Sequence, residues 1–237
     1  MILIPARHCG PPGSANGGWL AGTLAEVVGD GPATVTLRRP TPVDVPLDAE
    51  TDADGAVRLL HEGTLLAEAL RAPRDWLDGL ALPEPVATNA AADAEGRFVG
   101  HTSHAFPGCF VCGTARDPGD GLCLFTGAVA DRTGTVAGVV HLEAVGLPPG
   151  EPVPAPWLWA ALDCPTAWAH LGPGEALLLG RMTGEVLRRP LPGPLVAVAR
   201  ATGTDGRKRF ATSTLRDADG ELVAAAEATW FAVAPTA

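Results

Sequence analysis

The chain has 237 residues, with 17 Lys and Arg against 27 Asp and Glu and a formal net charge of −10. That acidic excess, with no basic stripe to offset it, speaks against a nucleic acid or an anionic membrane surface as partner. No window reaches membrane-spanning length, and Met1-Ile2-Leu3-Ile4-Pro5 lacks the apolar region and cleavage site of a secretion signal. The five cysteines are therefore expected as reduced thiols in a cytoplasmic protein.

Ile2-Leu3-Ile4 reads as a short strand that ends in the turn Cys9-Gly10-Pro11-Pro12-Gly13. Ser14 and Asn16 are helix N-cap types, and Gly17-Gly18 opens a run, Trp19-Leu20-Ala21-Gly22-Thr23-Leu24-Ala25-Glu26-Val27-Val28, too apolar for a surface helix. The breakers Gly29-Asp30-Gly31-Pro32 stop it. Strands are expected over 33–37, 43–50, 56–62 and 64–70, with hairpin turns at Asp52-Ala53-Asp54-Gly55 and Glu62-Gly63. Residues 64–70 are rich in Ala, Leu and Glu, and context rather than propensity makes them a strand. From Pro73 to about Thr114 neither period is sustained, which marks a long connection.

The second half repeats the plan. Strands are expected over 122–125 and 135–142, then an apolar helix over 155–171 with Pro156 in its first turn, then strands over 176–186, 195–202, 208–215 and 221–231. Leu37-Arg38-Arg39-Pro40-Thr41-Pro42 returns as Leu187-Arg188-Arg189-Pro190-Leu191-Pro192, and Asp52-Ala53-Asp54-Gly55 returns as Asp217-Ala218-Asp219-Gly220. Two copies of one helix-then-meander unit follow, an α+β pattern in which each sheet curls around a helix. The expected division is a first repeat over 1–90, a connecting loop over 91–121 and a second repeat over 122–237.

A Gly-Gly-led apolar helix followed by four strands, twice in one chain, resembles the double-hotdog acyl-CoA thioesterases of the thioesterase II type. Asn16-Gly17-Gly18-Trp19-Leu20-Ala21 is similar to the glycine signature that opens the family's central helix. Pro107-Gly108-Cys109-Phe110-Val111-Cys112-Gly113, with Asp117-Pro118-Gly119-Asp120-Gly121-Leu122, resembles the Cys-Phe-x-Cys-Gly…Gly-Leu segment of many hotdog thioesterase-like proteins. The resemblance implies hydrolysis of a thioester between an acyl group and coenzyme A or a carrier protein, with coenzyme A only as part of the substrate and no separate cofactor. That chemistry needs N–H donors for the oxyanion and a carboxylate as base or nucleophile.

In many members of the resembling family the carboxylate lies seven residues after the second Gly. In the second helix that count reaches Asp163, with Ala155-Pro156 in place of the Gly pair, and Pro156 has no N–H to give. In the first helix the count from Gly18 reaches Ala25, with Glu26 out of phase. The two copies are thus complementary: Gly17, Gly18 and Trp19 offer donors, Asn16 adds a side-chain donor, and Asp163 supplies the carboxylate at one composite site. Thr166, one turn after Asp163, is expected to orient it. Trp19 and Trp159 are expected to bind the acyl part. An Asp inside so apolar a helix is costly to bury without a partner.

His101-x2-His104-x4-Cys109-x2-Cys112 has zinc-ligand types at zinc-like spacing. The resembling family usually carries this Cys-x2-Cys without metal, so no metal is expected, with metal analysis of the protein as the deciding measurement. Cys164 is discounted as a nucleophile because adjacent helix positions point about 100° apart. His170 is placed at the helix end. The pairs Arg38-Arg39 and Arg188-Arg189 and the run Arg207-Lys208-Arg209 have the charge to meet coenzyme A phosphates. Two readings stay open beside hydrolysis: a non-hydrolytic acyl binder or carrier-linked dehydratase or lyase of the same fold, and a non-catalytic assembly module. Pairing of double hotdogs into homodimers is a further expectation.

Overall fold

Asn16 lies in extended backbone, and its Oδ1 accepts the Trp19 N–H at 2.8 Å, so the chain enters α1 (Gly17–Val28) through a side-chain cap. The computed structural model describes residues 1–234; positions 235–237 of the expected second repeat lie outside the described residues. Before α1 comes β1 (Ile2–Leu3), and after it β2 (Ala33–Leu37), β3 (Pro46–Thr51), β4 (Val57–His61) and β5 (Thr64–Arg71). Then follow α2 (Thr88–Glu95), β6 (Gly127–Ala128), β7 (Thr135–His141), α3 (Ala155–Trp168), β8 (Ala176–Val186), β9 (Pro194–Asp205), β10 (Lys208–Arg216) and β11 (Leu222–Val233).

All eleven strands join one sheet in the order β1-β3-β4-β5-β2-β8-β11-β10-β9-β7-β6. Its halves obey one permutation: first, third, fourth, fifth, second reads β1-β3-β4-β5-β2 in one and β7-β9-β10-β11-β8 in the other. The halves meet where β2 pairs antiparallel with β8, from Ala33↔Gly184 to Thr36↔Arg181. The duplicated motifs take duplicated shapes. Asp52 Oδ1 accepts N–H bonds from Asp54 and Ala56, and Asp217 Oδ1 accepts them from Asp219 and Glu221. After β2, the N–H groups of Arg38 and Arg39 both reach Leu66 O; after β8, those of Leu187 and Arg188 both reach Val223 O.

Both long helices lie inside this sheet, and every residue of α3 is buried. Gly18 and Gly22 let them approach closely. A Cβ on Gly18 would meet Asp163 Cβ, and Trp159 O at 2.6 Å; one on Gly22 would sit 2.6 Å from Pro156 Cα. The core built on this crossing includes Leu20, Leu24, Leu158, Trp159 and Leu162, each at most 2 % exposed.

Three segments differ from the expected elements. The connection contains α2, whose buried Ala91 packs against Ala137, Val139, Val196 and Val198 of the sheet, with Ala94 also buried and its other residues polar or small. Only two helical turns long, it is too short for its period to stand out. Residues 43–45 stay outside β3 because Asp44 takes φ 57° and its Oδ1 accepts the Ala6 N–H. Residues 122–125 form no strand with β7. Cys123 sits at φ 46°, and Leu122 and Leu124 donate instead to Phe110 O and Val111 O, pinning the Cys-x2-Cys turn to the body. No helix among the described residues is long and apolar enough to cross a membrane.

Candidate active site

The α1–α3 crossing sets the start of one helix against the middle of the other. Asp163, 1 % exposed, presents Oδ2 to two donors from α1's opening turn: Gly18 N at 2.9 Å and Asn16 Nδ2 at 3.0 Å. Asn16 therefore works twice, its oxygen capping α1 and its nitrogen holding the carboxylate of α3. Asp163 Oδ1, also buried, has no partner. Burial pushes the Asp163 carboxyl up to about 7, against the two N–H donors, which favour the charged form.

Asp163 lines a cavity of about 350 Å3 between the turn after β1, the Arg38–Thr41 segment, residues 104–112 and the end of α3. Its walls are mainly apolar, with Phe106, Leu171, Leu179 and Trp230 among them, and Asn16 and Gly17 line it together with Asp163. Arg38 and Arg39 lie on the same wall. Arg38 is paired with Glu68 at 2.7 Å, whereas Arg39 has no ion pair among the described residues. That size and lining suit a small, largely apolar ligand.

The expected donors are differently occupied. Gly18 N–H goes to Asp163, and Trp19 N–H goes to the Asn16 cap, leaving Gly17 N–H as the one of the three without a protein acceptor among the described residues. Thr166 does not reach the carboxylate. Its hydroxyl donates to Asp163's own main-chain carbonyl and accepts from Trp230 Nε1 at 2.7 Å, because a Thr inside a helix turns its Oγ toward the preceding turn. Neither Trp19 nor Trp159 lines the cavity. Trp159 fills the core beneath Gly184, and Trp19 stacks on His8 with centroids 3.5 Å apart. Trp168 and Trp230 take the wall positions, since the cavity opens at the C-terminal half of α3 rather than at its start.

The loop quartet is not assembled around a common point. The His101 ring packs on Phe98 and Phe125, and both His104 nitrogens are engaged, Nδ1 accepting the Phe106 N–H and Nε2 lying 2.9 Å from Cys112 O. Burial lowers the His104 pKa. Instead, the loop carries Cys109 and Cys112 to Cys164, next in sequence to Asp163. Although adjacent on α3, Asp163 and Cys164 both line the cavity, and Asn16 Nδ2 lies 3.8 Å from Cys164 Sγ as well as on Asp163. Hydrogen bonds from the two neighbouring thiols and from the Val111 and Cys112 N–H groups pull the Cys109 thiol well below its usual range; giving those bonds holds Cys112 and Cys164 above theirs. Gly113, closing the Cys-x2-Cys turn, is the sequence signal that could have located this cluster. His170 Nε2 lies 2.8 Å from Phe210 O, away from the cavity.

Solved structures match this architecture over almost its full length. A candidate thioesterase II of Thermobifida fusca YX superposes with a TM-score of 0.63 at 18 % identity, covering 98 % of this chain and 90 % of that one. The tesB protein of Mycobacterium avium subspecies paratuberculosis gives 0.61 at 15 % identity, covering 98 % and 91 %. A protein of unknown function with the hot dog fold from Alicyclobacillus acidocaldarius gives 0.56 at 16 % identity, covering 98 % and 92 %. The chain is a double hotdog. No protein-family model and no curated sequence matches it significantly, so the likeness lies in the double-hotdog backbone.

Proposed function

We propose that this double hotdog hydrolyses an acyl thioester at one site shared by its two repeats. The observation that carries the reading is Asp163: a buried carboxylate on the cavity wall, anchored through Oδ2 by Asn16 and Gly18 and bare at Oδ1. An anchored oxygen fixes the orientation of the free one, which is what a general base acting on water requires. Water activated at Oδ1 attacks the thioester carbonyl, the proton passes to the carboxylate, and it is returned to the departing thiolate.

Gly17 N–H, at the positive end of α1 and on the cavity wall, supplies a donor for the developing oxyanion. Asn16 and Gly18 position the carboxylate, and Thr166 stiffens the turn that carries it. Arg39, on the cavity wall and without an ion pair among the described residues, offers a cation to a phosphate-bearing substrate, which favours acyl-CoA. The likeness to thioesterase structures supports the same reading.

A second reading, acyl binding without turnover, has one observation in its favour: two of the three donors at the head of α1 are spent inside the protein. Thiol release from a panel of short, long and aromatic acyl-CoAs separates the two. Hydrolysis that collapses in Asp163→Asn supports the first reading; saturable binding without release supports the second.

A further inference from the structure

Three thiols converge beside, but apart from, the proposed hydrolytic carboxylate. The Sγ atoms of Cys109, Cys112 and Cys164 all lie within 4.8 Å of one another, with Cys109 and Cys164 3.7 Å apart. No other group of three His, Cys, Asp or Glu donors among the described residues converges in this way. Two cysteines come from a loop and one from α3, so tertiary folding builds the cluster.

The loop is shaped to hold its sulfurs in place. Gly113 N–H closes onto Cys109 O at 2.9 Å, and a Cβ on Gly113 would lie 2.5 Å from Pro107 O and 2.7 Å from Cys109 N, so the turn admits only glycine. Asn16 Nδ2 lies 3.9 Å from Cys109 Sγ and 3.8 Å from Cys164 Sγ. Three cysteines acting only as small core residues need no amide donor between two of their sulfurs; thiolates do.

The 3.7 Å between Cys109 and Cys164 is the spacing of sulfurs sharing a cation. With metal–sulfur bonds of about 2.3 Å and tetrahedral angles, thiolate sulfurs stand roughly 3.8 Å apart. We infer that Cys109, Cys112 and Cys164 bind one thiophilic divalent cation of the zinc class, with its fourth position facing the cavity that all three residues line. Hard cations such as Mg2+ and Ca2+, which take oxygen ligands, are excluded by the donor set. On binding, every S–H proton still held by the three cysteines passes to solvent and three metal–sulfur bonds form, with no change of oxidation state. With three protein ligands the fourth position is left to water or another small ligand, unlike a closed four-residue structural site.

The test is titration of the reduced, full-length protein with Co2+ followed by Zn2+ competition. One equivalent of Co2+ should produce a thiolate-to-cobalt charge-transfer absorption whose intensity corresponds to three sulfurs, and one equivalent of Zn2+ should abolish it. Cys112→Ser and Cys164→Ser should each weaken binding by more than ~100-fold, beyond what loss of an outer partner costs. Cys123→Ser should leave it unchanged, with folding followed by circular dichroism. Absence of the charge-transfer band in the wild type, or equal binding by Cys164→Ser, would overturn the site. Asp163→Asn should still bind cobalt, so failure of the metal site and failure of the hydrolytic reading are told apart.

Discussion

Asn16 donates its Nδ2 hydrogen to Asp163 Oδ2 at 3.0 Å, across 147 residues of chain, while its Oδ1 caps α1. One side chain thus fixes the start of the first helix and the carboxylate of the second. Asn16→Ala should cost about 1 kcal/mol through the lost cap and a further ~1–3 kcal/mol through a buried carboxylate left short of a donor. Thiol release should fall by about tenfold or more. Asn16→Asp keeps a capping oxygen but sets two carboxylates together, so it should hydrolyse less than Asn16→Ala at equal stability. Denaturant melts and thiol-release rates on the same preparations check both.

The close approach of α1 and α3 depends on residues that lack a Cβ. Gly18→Ala and Gly22→Ala should each destabilise by about 1–3 kcal/mol, the usual range for overpacking. Gly108→Ala, where an added Cβ meets nothing within 4 Å, should be close to neutral. Urea denaturation midpoints of the three variants decide this.

His8 carries a pH dependence of stability. Its ring is stacked on Trp19, with the edges of Phe110 and Trp157 against it, and neither nitrogen has a protein partner. Burial, with the Arg7 and Arg116 charges and opposed by Asp120, lowers its pKa from 6.5 to about 4. A base whose folded pKa is lowered binds fewer protons when folded. Its contribution is therefore fully present above pH 6.5 and lost as pH falls from 6.5 toward 4. The melting temperature of the wild type should fall more steeply across that window than that of His8→Phe, in matched buffers.

Arg39 distinguishes coenzyme A from other thioester carriers. Arg39→Ala should raise KM for acyl-CoA by up to about fivefold, the value of an exposed ion pair, with kcat unchanged. KM for the matching acyl-pantetheine, which lacks the nucleotide phosphates, should not move. Equal changes for both substrates would remove Arg39 from coenzyme A recognition.

The duplicated plan was legible because the period changes from helical to alternating twice, and because Asp52-Ala53-Asp54-Gly55 and Asp217-Ala218-Asp219-Gly220 punctuate both copies. Counting along each helix also brought Asn16, Gly18 and Asp163 into view together. The partner of each backbone donor stayed hidden, since it depends on a helix crossing that only Gly18 and Gly22 permit. For that reason Thr166 was expected on the carboxylate and lies on a main-chain carbonyl, and Trp19 and Trp159 were expected at the cavity and lie in aromatic and core packing. The step of about 100° between adjacent helix positions separates Cys164 from Asp163, yet the cavity wraps around that part of α3 and takes in both.

The most direct measurement is thiol release from an acyl-CoA panel by the wild type and Asp163→Asn. The amide is isosteric, and its carbonyl oxygen can accept the same two bonds from Asn16 and Gly18, so the fold should persist by circular dichroism. The account predicts hydrolysis of at least one small acyl-CoA by the wild type and a fall of at least ~100-fold in the variant, as expected on losing a general base. A folded variant as active as the wild type, or a wild type inert toward the whole panel, would contradict it.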